Sequence, residues 1–274
     1  MFTIEDLESL MPPPYKPVGV GSPNQWRALA RQIGIDLPPD FKQLLAVYGA
    51  GDIESRFRIA SPFLTDGVVQ LLKEYRAHGS RRTLPSGGRL VPWGYNFERG
   101  TAYWEVLNPN PRTWTIYTEF DGDIQRFNEN TTTFLAKVLR GDQLSAVLFN
   151  EAKPFVPPVP FYPAFEPSAL FAALGRPTVS WDQQVNIARH MFGKPAAIGP
   201  DVAFGPTFRE LQARVPRTGW SIRFREYAHT GPRGASHELD IVVPKTEVRV
   251  ALRRMHQFAQ RLGVEIQVVR DGNP

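Results

Sequence analysis

The stretch AKPFVPPVPFYPAFEPS, residues 152–168, limits what this chain can fold into more than any other. It carries Pro154, Pro157, Pro158, Pro160, Pro163 and Pro167. Proline has no amide hydrogen and a fixed φ, so prolines at this density cannot continue a helix or occupy a central strand. The stretch reads as a stiff, extended linker close to polyproline II. Phe155, Phe161, Tyr162 and Phe165 alternate with the prolines. Aromatic rings gain nothing from staying in water, so the segment is expected to lie against one or both flanking domains. It separates a domain at 1–151 from a second, smaller domain at 169–274. A length of 274 residues independently suggests two domains.

Upstream of the linker, Ser22-Pro23-Asn24-Gln25 has the form of a capping box with proline at the first helical position. Trp26, Leu29, Ala30 and Ile33 then repeat at helical spacing. A second helix opens at Pro38-Pro39-Asp40 and buries Phe41, Leu44, Leu45 and Tyr48, with Gly49 expected as a left-handed C-terminal cap. A strand is predicted near 53–59 and a third helix over 66–77, with Val68, Leu71, Leu72 and Tyr75 as its core face. Strand-like pieces follow at 90–92, 102–107, 114–118 and 124–127, separated by turns at Asn108-Pro109-Asn110-Pro111 and Asp121-Gly122-Asp123. Asn130 caps a last helix that buries Phe134, Leu135, Val138 and Leu139. The order implies an α+β domain with helices packed on an antiparallel meander.

Downstream, helices are predicted over 181–191 and 207–214. Alternating segments at 220–227 and 238–243 suggest a hairpin that turns near Gly231 to Gly234. A long helix over 246–262 closes at Gly263, and a final strand covers 264–269. This part is α+β as well.

Charge is distributed unevenly. Residues 1–150 hold 16 Lys+Arg against 16 Asp+Glu, whereas residues 151–274 hold 16 against 11, so the whole net charge of +5 falls in the second part. A basic domain suggests an acidic partner, with a solvated basic surface as the plain alternative. The chain has no cysteine. A disulfide framework, a thiol nucleophile and a cysteine-held zinc are therefore excluded, and the composition fits a cytoplasmic protein. The first residues, MFTIEDLESL, lack the basic start and long apolar run of a signal peptide, and no stretch approaches the length of a membrane span.

The motifs LPPDFKQLLAVYGAGDI (37–53) and LVPWGYNFERGTAYWEV (90–106) together resemble the SUKH superfamily, whose bacterial members are mostly immunity proteins of polymorphic toxin systems and whose fungal relatives regulate cell-wall assembly. The shared pattern falls on Leu37, Pro38, Tyr48, Gly49, Gly51, Pro92, Trp93, Gly94, Asn96, Gly100 and Trp104, and the segment 114–142 fits the closing strands and helix. The turn NFERG departs from the commoner Asp-Asn-Gly form. The likeness covers about the first 150 residues. It implies a SUKH-like α+β scaffold and a non-enzymatic protein that binds and neutralises a cognate toxin domain by surface occlusion. It implies no cofactor and no catalytic residue.

Several other features bear on function. Gly49-Ala50-Gly51 closes a helix and precedes a strand, the reverse of a phosphate-binding glycine loop, so it reads as a structural stop. Asp121-Gly122-Asp123 is a turn with too few ligands for calcium. His229, His237, Glu238 and Asp240 straddle the hairpin and are the only candidates for acid–base or metal chemistry, although neighbouring strand residues face opposite ways. On the long helix, Val248, Ala251, Leu252, Met255, Ala259 and Leu262 form a core stripe. Arg249, Arg253 and His256 line one flank, and Arg254, Gln257 and Arg261 the other. Arginine and tryptophan dominate interface hot spots. The residues expected to meet a partner are therefore Trp93, Arg249, Arg253 and Arg254, with core packing as the alternative for Trp93. A protein partner is favoured, and nucleic acid held by the basic domain is the rival. Inhibitors of nucleases tend to be acidic, so a neutral-then-basic chain points to a toxin of another kind, or to binding away from its groove.

Overall fold

The computed structural model describes residues 2–54, 56–64, 89–96, 100–120, 123–142, 158–164, 167–192, 197–198, 202–204, 208–216, 218–227 and 236–270. Chain contacts divide it into two compact units, residues 1–164 and 165–274. Both are α+β, and each is built on one antiparallel sheet. No helix among the described residues is long and apolar enough to cross a membrane.

The first unit opens with helix α1 (Ile4–Leu10), capped by Thr3. Helix α2 (Pro23–Ile33) starts at the predicted capping box: Ser22 N donates to Gln25 Oε1 at 2.8 Å and Gln25 N to Ser22 Oγ at 3.3 Å. Helix α3 (Pro39–Tyr48) buries Phe41, Leu44, Leu45 and Tyr48, as the spacing predicts. Strands β1 (Gly51–Ile53), β2 (Phe57–Ile59), β3 (Arg89–Asn96), β4 (Thr101–Val106), β5 (Thr115–Phe120) and β6 (Asp123–Phe127) run as a meander, and helix α4 (Thr131–Arg140) follows with Asn130 as its cap. The predicted helix over 66–77 and the residues Asp121 and Gly122 lie outside the described residues.

A seventh strand, β7 (Phe161–Pro163), completes the sheet in the order β6-β5-β4-β3-β2-β1-β7. It comes from the stretch read above as linker. Ile53 pairs with Phe161, Asp52 with Tyr162 and Gly51 with Pro163. The prolines are tolerated because β7 is an edge, where a missing N–H breaks no central ladder. Phe161 and Tyr162 are fully buried, which is why aromatics alternate with prolines here.

Gly49 differs from its expected form. Its N–H closes α3 on Leu45 O at 2.9 Å, yet its φ of 66° comes with a ψ of −165°. That combination is not the left-handed helical cap but a region open essentially to glycine alone. The cause lies far away in sequence. The backbone of Val18 passes beside Gly49, and Ala50 N donates to Val18 O at 2.8 Å. The helix therefore stops and turns directly into β1.

In the second unit, strands β8 (Pro167–Leu174), β9 (Ala197–Ile198), β10 (Val202–Phe204), β11 (Phe208–Arg214), β12 (Ser221–Tyr227), β13 (His237–Pro244) and β14 (Ile266–Arg270) form the sheet β10-β11-β12-β13-β8-β14, with β9 beside β11. Helices α5 (Trp181–Phe192) and α6 (Val248–Leu262) supply the rest of its core. Two expectations are corrected. Segment 207–214, predicted as helix, is strand β11. Glu, Leu, Gln, Ala and Arg are good helix formers, but Leu211 and Ala213 are buried while Gln212 is exposed, and β11 pairs with β12 over seven positions. That period of two is the strand signal. The second correction concerns Pro167 and Ser168, assigned to the linker. They begin β8, which lies between β13 and β14. Pro167 fits because it is the first residue of the strand, opposite Pro244.

Candidate partner-binding surface

Helix α6 assembles this surface through its periodicity. Ala251, Met255, Phe258, Ala259 and Leu262 are buried, with Val248 and Leu252 packed beside them. Residues a hundred degrees away around the helix must then face solvent. Arg249, Val250, Arg253, His256, Gln257, Gln260 and Arg261 are all exposed. Among the described residues, Arg249, Arg253 and Arg261 make no ion pair. The opposite flank is anchored by Trp220, whose Nε1 donates to Glu247 Oε2 at 2.7 Å and whose ring lies 5.0 Å from the guanidinium of Arg254.

The four residues expected to meet a partner thus fall into three environments. Arg249 and Arg253 project from the exposed face. Arg254 is half-buried and stacked on Trp220, so it serves the unit's own packing. Trp93 does not reach the surface at all. It is 0 % exposed and sits among Phe41, Phe57, Trp104 and Phe134, with ring centroids 5.5–6.5 Å away. It lies at a register shift of β3 against β4 between Pro92 and Gly94, with its ring in the first unit's core, and the hot-spot reading of Trp93 is replaced by the core reading. Arg261, named only for its flank, is exposed like Arg249 and Arg253 and likewise makes no ion pair among the described residues. Its position three turns along the same helix was the available signal.

The histidine–carboxylate group does not converge. His229 lies outside the described residues. His237 points into the core of the second unit, 1 % exposed, with its ring stacked near Phe224 at 5.9 Å. Glu238 and Asp240 sit on the opposite sheet face, gathered by Arg225 Nη1 at 3.2 Å and 2.9 Å. Arg225 Nε also donates to Glu210 Oε2 at 2.7 Å. Burial opposes ionisation of Glu210, but hydrogen bonds from Gln212 and Arg225 and the charges of Arg223 and Arg225 outweigh it and hold the carboxyl below its ordinary range. The cluster is an arginine-centred brace across β11, β12 and β13. No group of three or more acidic or histidine side chains among the described residues is placed to hold a metal ion.

His237 makes the second unit acid-sensitive. Burial, assisted by the charge of Arg176, pushes its imidazole from 6.5 down to about 4. The unfolded chain therefore takes up a proton first as pH falls, and the contribution of His237 to stability declines from about 6.5 downward and is spent below about 4. Denaturant titrations of the whole chain across this window should show the decline. His237→Phe, which keeps the ring beside Phe224, should flatten it; an unchanged pH profile would assign the acid sensitivity elsewhere.

No protein-family model, no curated protein and no solved structure matches this chain.

Proposed function

We propose that this chain is a non-enzymatic immunity protein that binds a cognate bacterial toxin domain and neutralises it by covering its working surface. One observation carries the binding role: the exposed face of α6 presents Arg249, Arg253 and Arg261 without ion-pair partners among the described residues. Uncompensated guanidinium groups on a rigid helix suit the carboxylates of an acidic partner, because the planar fork binds them in pairs and loses little freedom in doing so. The resemblance of segments 37–53 and 90–106 supports the toxin as that partner, and their Phe41, Trp93 and Trp104 belong to one core. The proposed place of action is the cytoplasm, where a toxin would have to be met.

The same arginines also favour a second reading, in which the chain binds nucleic acid. The two are separated by one set of titrations with the full chain. A toxin domain is expected in a neighbouring reading frame; it should bind tightly, and Arg249→Glu combined with Arg253→Glu should weaken it about thirtyfold, as loss of interface arginines does. The variant should unfold within about 0.5 kcal/mol of the parent, because both positions are exposed. Random DNA or RNA should bind weakly at low salt, and unaltered toxin affinity in the variant would remove the α6 face from the account. Tight nucleic-acid binding with a steep salt dependence would favour the second reading.

A further inference from the structure

A cleft of about 210 Å³ in the first unit has no part in the reading above. Its apolar lining comes from Pro38 and Pro39 at the start of α3, Pro111 in the loop between β4 and β5, and the indoles of Trp104 and Trp114. Both indole N–H groups are already engaged. Trp104 Nε1 donates to Thr131 Oγ1 at 3.0 Å and Trp114 Nε1 to Asn108 O at 2.9 Å, and with the indoles only 1 % and 5 % exposed they close the floor of the cleft while the prolines form its walls. Two charged side chains also line the cleft, and they are not equivalent. Asp40 is committed: its Oδ2 accepts from Thr132 N at 3.2 Å at the start of α4. Arg112 is exposed and makes no ion pair among the described residues.

The backbone beneath Arg112 is set before any ligand arrives. Asn110 Oδ1 accepts from Arg112 N at 3.2 Å, Asn108 Oδ1 from Asn110 N at 2.8 Å, and Asn108 Nδ2 donates to Thr113 Oγ1 at 3.0 Å. A loop ordered in this way loses little entropy on binding. In volume the cleft compares with a dry cavity of about 150 Å³ that accepts a benzene ring. It is therefore the size of one aromatic side chain.

We infer that the cleft is a socket for an aromatic side chain of a partner protein, flanked in that protein by a carboxylate that pairs with Arg112. The ring fills the space between the prolines and the indoles, and the carboxylate meets the Arg112 guanidinium at the exposed edge of the cleft. This site does not depend on the α6 arginines or on the partner being a toxin. Arg112→Gln and the α6 reversal therefore report on separate claims.

The test is a titration followed through the Trp104 and Trp114 indole N–H resonances of the full chain. The probes are acetyl-Ser-Phe-Asp-amide, its neutral twin acetyl-Ser-Phe-Asn-amide, and 3-phenylpropionate. The acidic peptide should shift both indole signals and bind about fivefold more tightly than the neutral one, a margin ordinary for a half-exposed ion pair. Arg112→Gln should abolish that margin without unfolding the chain, and the α6 reversal should leave it intact. Silent indole signals at about 5 mM peptide, equal binding of the two peptides, or an unchanged margin in Arg112→Gln would each overturn the assignment. Tighter binding of 3-phenylpropionate than of the acidic peptide would transfer the site to a free small carboxylate and end the protein-partner claim.

Discussion

Gly49→Ala is expected to destabilise the first unit by about 3 kcal/mol or more, because two effects add there. The backbone angles of 66° and −165° exclude a side chain on conformational grounds. The space is also taken: a Cβ would lie 2.4 Å from both the N and the O of Val18, which are backbone atoms and cannot swing aside. Relief would require moving the Val18 strand of chain and breaking its hydrogen bond from Ala50. Gly34 supplies the control. It caps α2 with φ 75° and ψ 10°, and a Cβ there meets nothing within 4 Å. Gly34→Ala should therefore cost only about 1 kcal/mol, the ordinary left-handed penalty. Thermal melts of the two variants should separate by several degrees, with Gly49→Ala the lower by about 6 °C. Equal melts would mean that Val18 yields and that the sharp stop of α3 is not enforced by its neighbour.

Arg225→Ala should be the most damaging single change on the face of the second sheet that turns away from its helices. Glu238 is 1 % exposed and Asp240 and Glu210 nearly as covered, and all three carboxylates share this guanidinium. Removing it leaves negative charges crowded on β11 and β13 without their common counter-charge. Loss of one partner from such a buried network costs about 3–5 kcal/mol. The loss should depend on pH in a defined direction. Arg225 is among the groups that hold Glu210 below its ordinary range, so without it Glu210 binds a proton more readily in the folded state, and the gap to the parent should narrow as the solution is acidified. Chemical denaturation at several pH values measures it. A gap that stays constant would show that Arg225 acts through packing of its stem and not through its charge.

Local signals in the sequence translated directly into structure. Ser22-Pro23-Gln25 and Asn130 are legible because a cap is made by atoms within three residues of each other. The stripes of α3 and α6 are legible because burial repeats with the helical turn. Where the answer depended on distant chain, the sequence was silent or misleading. Gly49 announces a stop, but its ψ is set by Val18. Segment 208–214 carries helix-forming residues, and only pairing with β12 makes it a strand. β8 reads PSALFAAL, too rich in small residues and without a clear alternation to declare its place between two strands. The same limit applies to the site. Arg249 and Arg253 were identifiable as an outward stripe, whereas the diversion of Arg254 onto Trp220 depends on an indole contributed 34 positions earlier. Trp93 could be assigned to the core only once Phe41, Phe57 and Phe134 were seen around it. The cleft at Arg112 draws on α3, β4, the β4–β5 loop and α4, and no single motif contains it.

The central claim is that this chain silences a protein partner through a surface led by the α6 arginines. The account requires a toxin domain in a neighbouring reading frame, and co-expression with that domain tests the claim most directly, with growth and complex formation on gel filtration as paired readouts. The account predicts that the full chain restores growth and co-elutes with the toxin, and that Arg249→Glu, Arg253→Glu and Arg261→Glu together abolish both while the chain stays folded. Growth arrest persisting alongside the parent chain, with no co-elution, or full rescue by the triple reversal, would contradict it.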